Sequence, residues 1–330
     1  MFHWDQDLRI AGTKLFLDSR SARAHCFVSH AHSDHLGEHE HAICTPQTRE
    51  LASMRVGAVA TTSLAFGESH AFDGDTRITL LSAGHVLGSA MIQVDRPEGR
   101  LLYTGDFKLR SCLTVDPTQT VEADVLVMES TFGKPIFRFP PREKVIAELL
   151  DRIRRAMADG RQAIVLGYSL GKAQEIVRIL TGAGLNVTCH GAVSAMNRAY
   201  ERMGVSVGPW RTYNPADFHG ARQIDLVERG VLVAPPQVAR TAFVTKFDRP
   251  LSIMLSGWAM LPGAQFRYGV DHVLPLSDHA DFDELLELIE RVKPKKIFTH
   301  HGFKEFADTL RGLGHDAKTA RTDPQLSLFD

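Results

Sequence analysis

Ser29-His30-Ala31-His32-Ser33-Asp34-His35 places four groups able to hold a metal, His30, His32, Asp34 and His35, within six positions. The run His25-Cys26-Phe27-Val28 before it is short and apolar enough to be a buried strand, and Leu36-Gly37 follows it. A strand that ends in clustered imidazoles and a carboxylate destabilises the fold unless those groups find partners. A divalent cation supplies them, and neutral imidazole with carboxylate suits zinc, iron or manganese. The competing reading is a histidine-rich surface loop, and that is how the nearby His39 and His41 read. For the motif itself, the spacing fits the two-metal site of a hydrolase or nuclease.

The remaining composition narrows the class. At 330 residues the chain can build one large domain or two ordinary ones. Its 44% hydrophobic and 23% charged content is that of a soluble globular protein. A net charge of −1 gives no bulk attraction to nucleic acid, so an anionic substrate needs a local basic patch or metal. Cys26, Cys44, Cys112 and Cys189 are widely spaced, against both a disulfide framework and a thiolate zinc site. Cys26 and Cys44 sit in apolar runs and read as core thiols. Met1 to Asp7 has neither the basic start nor the apolar stretch of a signal peptide, and no apolar run approaches the ~18 residues of a membrane span. The expectation is a cytoplasmic protein.

Outward from the motif, residues 8–10 and 14–17 read as a hairpin that ends at Asp18, and 47–56 as a short helix. Strands are expected over 68–72 and 77–82, joined at Asp73-Gly74-Asp75, then over 90–94, 101–104 and 125–128. A polar group follows several of them: His85 in Ala83-Gly84-His85-Val86-Leu87-Gly88-Ser89, Asp106 after Gly105, and Glu129-Ser130-Thr131. From Phe139-Pro140-Pro141-Arg142 onward, helices and strands alternate, which predicts a parallel sheet covered by helices. After 272 the pattern returns to a strand leading into a polar run, Leu276-Ser277-Asp278-His279-Ala280-Asp281. A helix over 283–292, a strand over 296–299 ending in His300-His301-Gly302, and a helix over 303–313 complete the chain.

Taken together, these motifs resemble the metallo-β-lactamase fold, in which HxHxDH is followed by a lone His, an Asp and a final His. The resemblance extends to the β-CASP nuclease branch through Gly84 to Ser89, Tyr103-Thr104-Gly105-Asp106-Phe107, Glu129 to Gly133, Ser277 to Asp281, His301-Gly302 and Leu170-Gly171-Lys172-Ala173-Gln174-Glu175. It covers residues ~8 to 313 and implies an α/β protein, a metallo-β-lactamase αββα sandwich with an inserted β-CASP α/β cap. The expected parts are 1–138 and 272–322 for the sandwich, 139–271 for the cap and 323–330 for a flexible tail. The implied cofactors are two divalent metal ions, zinc or manganese. One would be held by His30, His32 and His85, the other by Asp34, His35 and His301, with Asp106 between them. His301 is preferred over His300 because the family histidine directly precedes glycine. His279 matches the general acid and Glu129 the carboxylate that orients it, while Asp18 matches the first motif and would brace the histidine loop. With Asp34 and Asp106, His279 and Glu129 make up the implied catalytic set.

Within the branch, His190-Gly191-Ala192-Val193, Val233-Ala234-Pro235-Pro236 and Ser256-Gly257-Trp258 are similar to the bacterial ligase-associated DNA exonuclease group, also known as an mRNA 3′-end processing factor group. That implies a DNA nuclease of exonuclease type, acting in repair and in a pathway with DNA ligase. An RNA-processing nuclease of the same branch and a small-molecule metallo-hydrolase are the alternatives. Lys172, Arg240, Lys246 and Trp258, with Arg138 and Arg142, are the expected nucleic-acid contacts. The last residues, Gln325-Leu326-Ser327-Leu328-Phe329-Asp330, resemble the short peptide with which bacterial replication and repair proteins bind the β sliding clamp. There Gln325, Leu326, Leu328 and Phe329 would be the binding residues, with Leu328 and Phe329 meeting an apolar pocket and Gln325 hydrogen-bonding.

Overall fold

The computed structural model describes residues 1–5, 7–218 and 224–320. They form two compact units, one from residues 1–135 and 279 onward, the other from 136–278. The expected clamp-binding residues, Gln325 to Phe329, lie outside the described residues.

The first unit opens with strands β1 (Phe2–Asp5), β2 (Asp7–Ile10) and β3 (Leu15–Leu17), paired antiparallel in succession. β4 (His25–Phe27), β5 (His41–Cys44) and β6 (Ala60–Ser63) then add in parallel, giving the sheet order β1-β2-β3-β4-β5-β6. Helix α1 (Pro46–Val56) links β5 to β6. It starts where Thr45 accepts a hydrogen bond from the Thr48 amide and where Pro46 needs no amide partner. A second sheet begins as a meander of β7 (Ser69–Asp73), β8 (Thr76–Ser82), β9 (Ala90–Arg96) and β10 (Gly99–Tyr103), to which β11 (Val125–Ser130) adds in parallel.

The second unit contains α2 (Arg142–Ala158), β12 (Ala163–Leu166), α3 (Lys172–Gly182), β13 (Val187–Cys189), α4 (Gly191–Arg202), β14 (Arg211–Thr212), α5 (Pro215–Phe218) and α6 (Leu226–Arg229). It continues with β15 (Val231–Ala234), α7 (Ala242–Thr245), β16 (Leu251–Leu255), α8 (Ala264–Tyr268) and β17 (His272–Leu274). Every pairing is parallel, in the order β14-β13-β15-β12-β16-β17. The sequences AIVL, VLVA and LSIML are buried at every position, as expected for strands covered on both faces. Residues 272–274 pair with Ile253–Leu255 as the edge strand of this sheet, so the unit extends to 278.

The chain then returns to the first unit with α9 (Phe282–Val292), β18 (Lys296–Gly302), α10 (Glu305–Gly312) and β19 (Ala317–Thr319). β18 docks beside β11 and completes the order β19-β18-β11-β10-β9-β8-β7. The two sheets of this unit pack face to face. Leu8, Ile10, Leu15, Leu17, Phe27 and Ile43 from one meet Ile78, Leu80, Ile92, Val94, Leu101 and Val127 from the other. On the outer face of the second sheet, Met91, Leu102, Leu126 and Met128 bury Leu285, Leu288 and Ile289 of α9 and Phe306 and Leu310 of α10. Ala42 and Cys44 meet Ala52 and Val56 of α1 on the outer face of the first. Four layers, α/β/β/α, with an inserted α/β unit, are the architecture the resemblance implies.

Candidate metal centre

β4 ends at Phe27, and the loop after it carries the histidine motif into the interior. Ser29 anchors it twice. Its Oγ lies 2.9 Å from His30 Nδ1, and its carbonyl accepts from the Ala90 amide at the start of β9. With Nδ1 held, His30 turns Nε2 to within 3.0 Å of His32 Nδ1 and 3.5 Å of Asp106 Oδ2. His85 arrives on the loop between β8 and β9, its amide donating to Ser89 Oγ. His85 Nε2 lies 3.1 Å from His32 Nδ1 and 3.9 Å from Asp106 Oδ2. Asp106 follows β10 through Gly105, whose φ is +53°. A Cβ at Gly105 would lie 2.6 Å from the Ser29 side chain, so only glycine lets the two loops approach this closely.

One ligand atom each from His30, His32, His85 and Asp106 thus falls within 4.8 Å of the others. Burial first, and then the neighbouring imidazoles His35, His85 and His32, hold the His30 pKa well below its ordinary value. Its neutral form is the one that binds metal. Burial works against ionising Asp106, but His35, His279 and His30 outweigh it and hold the carboxyl well below its ordinary range. A carboxylate surrounded by imidazole nitrogens that point at one another fits a divalent cation of the zinc or manganese type.

A second set adjoins the first across Asp106. His35 is fully buried, yet among the described residues its Nε2 meets no well-formed hydrogen-bond partner; it lies 3.3 Å from Asp106 Oδ2 and 3.8 Å from Asp34 Oδ2. A buried nitrogen left in that state requires an explanation, and a cation between it and the two carboxylates provides one. His301 stacks on His35 with ring centroids 4.9 Å apart. The Asp34 side chain is 59% exposed, at the open side of the group. His301 has a φ of +45° and is followed by Gly302 at +144°, where a Cβ would strike the Ser130 carbonyl oxygen at 2.0 Å. That turn at the end of β18 sends His301 toward His35, while His300 is buried against the ring of Tyr103 at 5.2 Å.

Asp18 braces this set. Its Oδ2 lies 2.9 Å from His35 Nδ1 and accepts from Tyr103 Oη at 2.8 Å, and its Oδ1 accepts from the Ser29 amide at 2.7 Å. Tyr103 and Ser29 carry this bracing, and the sequence reading gave neither a role. The available signal was a buried phenol next to the Gly105-Asp106 turn, since a buried tyrosine hydroxyl needs a partner. His35 is pulled down by burial, but Asp106 and Asp18 together raise its pKa well above the ordinary value.

Glu129, fully buried at the end of β11, accepts from the Phe107 amide at 2.8 Å and sits 3.0 Å from His279 Nδ1. The His279 ring lies 4.6 Å from that of His85, which sets the pair directly beside the histidine cluster.

The expected nucleic-acid contacts fare differently. Lys172 is 1% exposed and bonds Glu175 and Asp278, each at 2.9 Å, so burial and its two carboxylates remove it from any surface role. Trp258 is likewise buried, edge-on to Phe137 at 5.3 Å. Arg142 pairs with Glu175 at 2.9 Å. Arg240 is exposed, but its guanidinium donates to the Phe266 and Arg267 carbonyls. Lys246 is exposed. His39, expected on the surface, is 5% exposed and packs over Gly37, where a Cβ would lie 2.7 Å from its ring; His41 bonds Thr62 Oγ1 at 2.8 Å.

Comparison with known proteins agrees with this geometry. Residues 263–322 match the family described as "Zn-dependent metallo-hydrolase RNA specificity domain". A relative named "Probable DNA ligase" from Opitutus terrae is 39% identical over 316 residues, 95% of this chain and 30% of its own length. "5' exonuclease Apollo" from Gallus gallus is 27% identical over 312 residues, 87% of this chain and 62% of its own. An "RNase J-like protein" from Methanocaldococcus jannaschii is 30% identical over 177 residues, 46% of this chain and 42% of its own. The chain therefore spans less than two thirds of each of these relatives. A crystal structure of a protein of unknown function from Enterococcus faecalis V583 shares the fold, with a TM-score of 0.56 at 15% identity over 85% of this chain and 76% of that one. Among the described residues, no helix is long and apolar enough to cross a membrane. With its four-layer sandwich, inserted α/β unit and histidine–aspartate cluster, the chain has the metallo-β-lactamase fold with an inserted cap and is similar to the metal-dependent nucleases of the β-CASP branch.

Proposed function

We propose that this protein is a metal-dependent DNA nuclease of exonuclease type that hydrolyses phosphodiester bonds in DNA repair. The observation that carries phosphodiester hydrolysis is the His279–Glu129 pair at 3.0 Å beside the histidine cluster. In this reading His30, His32, His85 and Asp106 would hold one divalent ion, and Asp34, His35 and His301, with Asp106, would hold a second. Bound there, the metals would supply charge neutralisation at the phosphate and a nucleophile at neutral pH. The chain's own residues do the rest. Asp106 stays ionised among imidazoles, Asp18 fixes the tautomer and orientation of His35, and Glu129 accepts from His279 Nδ1–H. That leaves Nε2 of protonated His279 to deliver a proton to the departing oxygen.

DNA as the substrate is supported by the similarity to the Opitutus terrae relative named as a probable DNA ligase, which runs over nearly the whole chain, and to the Apollo exonuclease. The tail adds to it, because Gln325-Leu326-Ser327-Leu328-Phe329 has the form of a sliding-clamp peptide. An RNA-processing nuclease is the second reading, favoured by the RNase J-like relative and by the family description matched at 263–322.

Labelled single-stranded DNA, duplex DNA and RNA of one sequence, each incubated with zinc- or manganese-loaded protein, separate these readings. Cleavage of RNA alone would refute the DNA assignment, and DNA cleavage that survives Asp34→Ala or His35→Ala would refute the second metal set. Removal of 325–330 is expected to abolish affinity for the β clamp while nuclease activity persists; equal affinity would end the recruitment idea.

A further inference from the structure

The motif Leu170-Gly171-Lys172-Ala173-Gln174-Glu175 lies where β12 passes into α3, and the arrangement above assigns it no task. Its lysine is buried. Gly167 makes room for the Lys172 stem, since a Cβ there would lie 2.8 Å from Lys172 Cγ. At the end of that stem, Nζ donates to Glu175 Oε2 and to Asp278 Oδ1, both at 2.9 Å. Arg142 holds the other Glu175 oxygen at 2.9 Å. Gln174 locks the helix start by accepting from the Gly171 amide at 2.8 Å and donating to Asn197 Oδ1 at 2.9 Å. Burying an ammonium with two carboxylates is a poor way to gain stability, because desolvation cancels most of the attraction, so its value lies in geometry.

That geometry ends one peptide bond from His279. Asp278, the carboxylate held by Lys172, is the preceding residue. On the following side, the Ala280 amide donates to the Phe107 carbonyl at 2.7 Å, and Asp281 caps α9 by accepting from the Glu284 amide at 2.9 Å. The Phe107 amide in turn donates to Glu129, which binds the His279 ring. The carboxy-terminal flank and the ring of His279 are thus fixed through Phe107 and Glu129. On the amino-terminal side, the lysine holds the Asp278 carboxylate.

We propose that Lys172 is a positioning residue for His279, acting through Asp278 to hold the backbone from which the imidazole reaches the leaving group. The inference rests on reading His279 as the proton donor.

The leaving group supplies the test. DNA cleavage expels a basic alkoxide that needs a proton, whereas bis(p-nitrophenyl) phosphate expels a stable phenolate that does not. In the full-length, metal-loaded protein, Lys172→Met is expected to lower kcat on DNA on the order of 10²-fold, the size of effect a displaced catalytic group produces. Turnover of bis(p-nitrophenyl) phosphate should change by less than about threefold, because general acid catalysis contributes little there. Asp278→Asn, which removes a charge without emptying space, is expected to show the same selective loss, and the double variant no more than the larger single loss, as for two residues on one path. The His279 imidazole nitrogen NMR signals should move in both variants.

Equal losses on both substrates, no loss on DNA, or unmoved His279 signals in the folded variants would each overturn the proposal. His279→Ala tests the underlying reading separately. If it fails to separate the two substrates, the proton-donor role is wrong, and the NMR signals still decide whether Lys172 positions the ring.

Discussion

At the scale of residues, the site is a set of constrained hydrogen-bond partners. Asp18 shows this most fully: its backbone sits at a φ of +45°, a conformation that costs about 1–3 kcal/mol for a residue with a side chain. Three hydrogen bonds, from Ser29, Tyr103 and His35, offset that cost. Asp18→Ala is expected to loosen His35 and weaken metal affinity by about 10- to 100-fold, read by competition with a chromophoric chelator. Unchanged affinity would reduce Asp18 to a turn residue. Glu129 and His279 form, with Asp106, a second group of close ligand atoms, so their role needs separating from metal binding. Glu129→Gln and His279→Ala are each expected to cut kcat on DNA by about 10²- to 10⁴-fold with metal content unchanged. Loss of one equivalent of metal in either variant would make the pair ligands instead.

At the scale of elements, what matters is where each strand ends and what its last residues must do. β11 and β18 run parallel, and their register shifts between Glu129 and Ser130, so that Glu129 sits opposite His300 and Ser130 opposite Gly302. Gly302 is what permits this. Gly302→Ala would place a Cβ 2.0 Å from the Ser130 carbonyl at a φ of +144°. The expected result is destabilisation of about 2 kcal/mol or more in urea unfolding, with metal affinity lost as His301 is displaced. Wild-type stability and affinity together would show that the strand end does not set His301. The helix expected over 283–292 is α9, which starts one residue earlier, at Phe282, behind a capping box of Asp281 and Glu284. The strand after 272 was legible but its sheet was not, because His272-Val273-Leu274 carries no sign of which sheet it joins.

At the scale of the whole molecule, burial of several imidazoles makes stability depend on pH. His300 is held well below its ordinary pKa by burial and by His301, and His39 is lowered by burial. Below about pH 6.5 the unfolded chain protonates such groups while the folded chain does not, so the unfolded state binds more protons and stability is lost as pH falls. His35 acts in the opposite sense. Asp106 and Asp18 overcome burial to raise its pKa, so it adds stability below its ordinary pKa and loses it as pH rises through the raised value. The lowered groups outnumber it, and the midpoint of thermal unfolding of metal-free protein is expected to fall between pH 7.5 and 5.5. A flat profile would show that the two effects cancel.

The sequence by itself marked the groups that the structure brings together. His30, His32, Asp34 and His35 stand close together in the chain, and His85, Asp106, Glu129, His279 and His301 each follow a recognisable strand or motif. It also determined the inserted α/β unit, because uninterrupted apolar strands between helices can fold only as a covered parallel sheet. What only the tertiary structure decided are the partners supplied by residues far apart in sequence. Tyr103 reaches Asp18 across 85 residues, and Lys172 reaches a carboxylate beside His279. The same long-range contacts removed Lys172 and Trp258 from the candidate nucleic-acid surface. Composition and spacing mark a lysine as a cation but not as a buried one, because burial depends on packing between elements that no local pattern encodes.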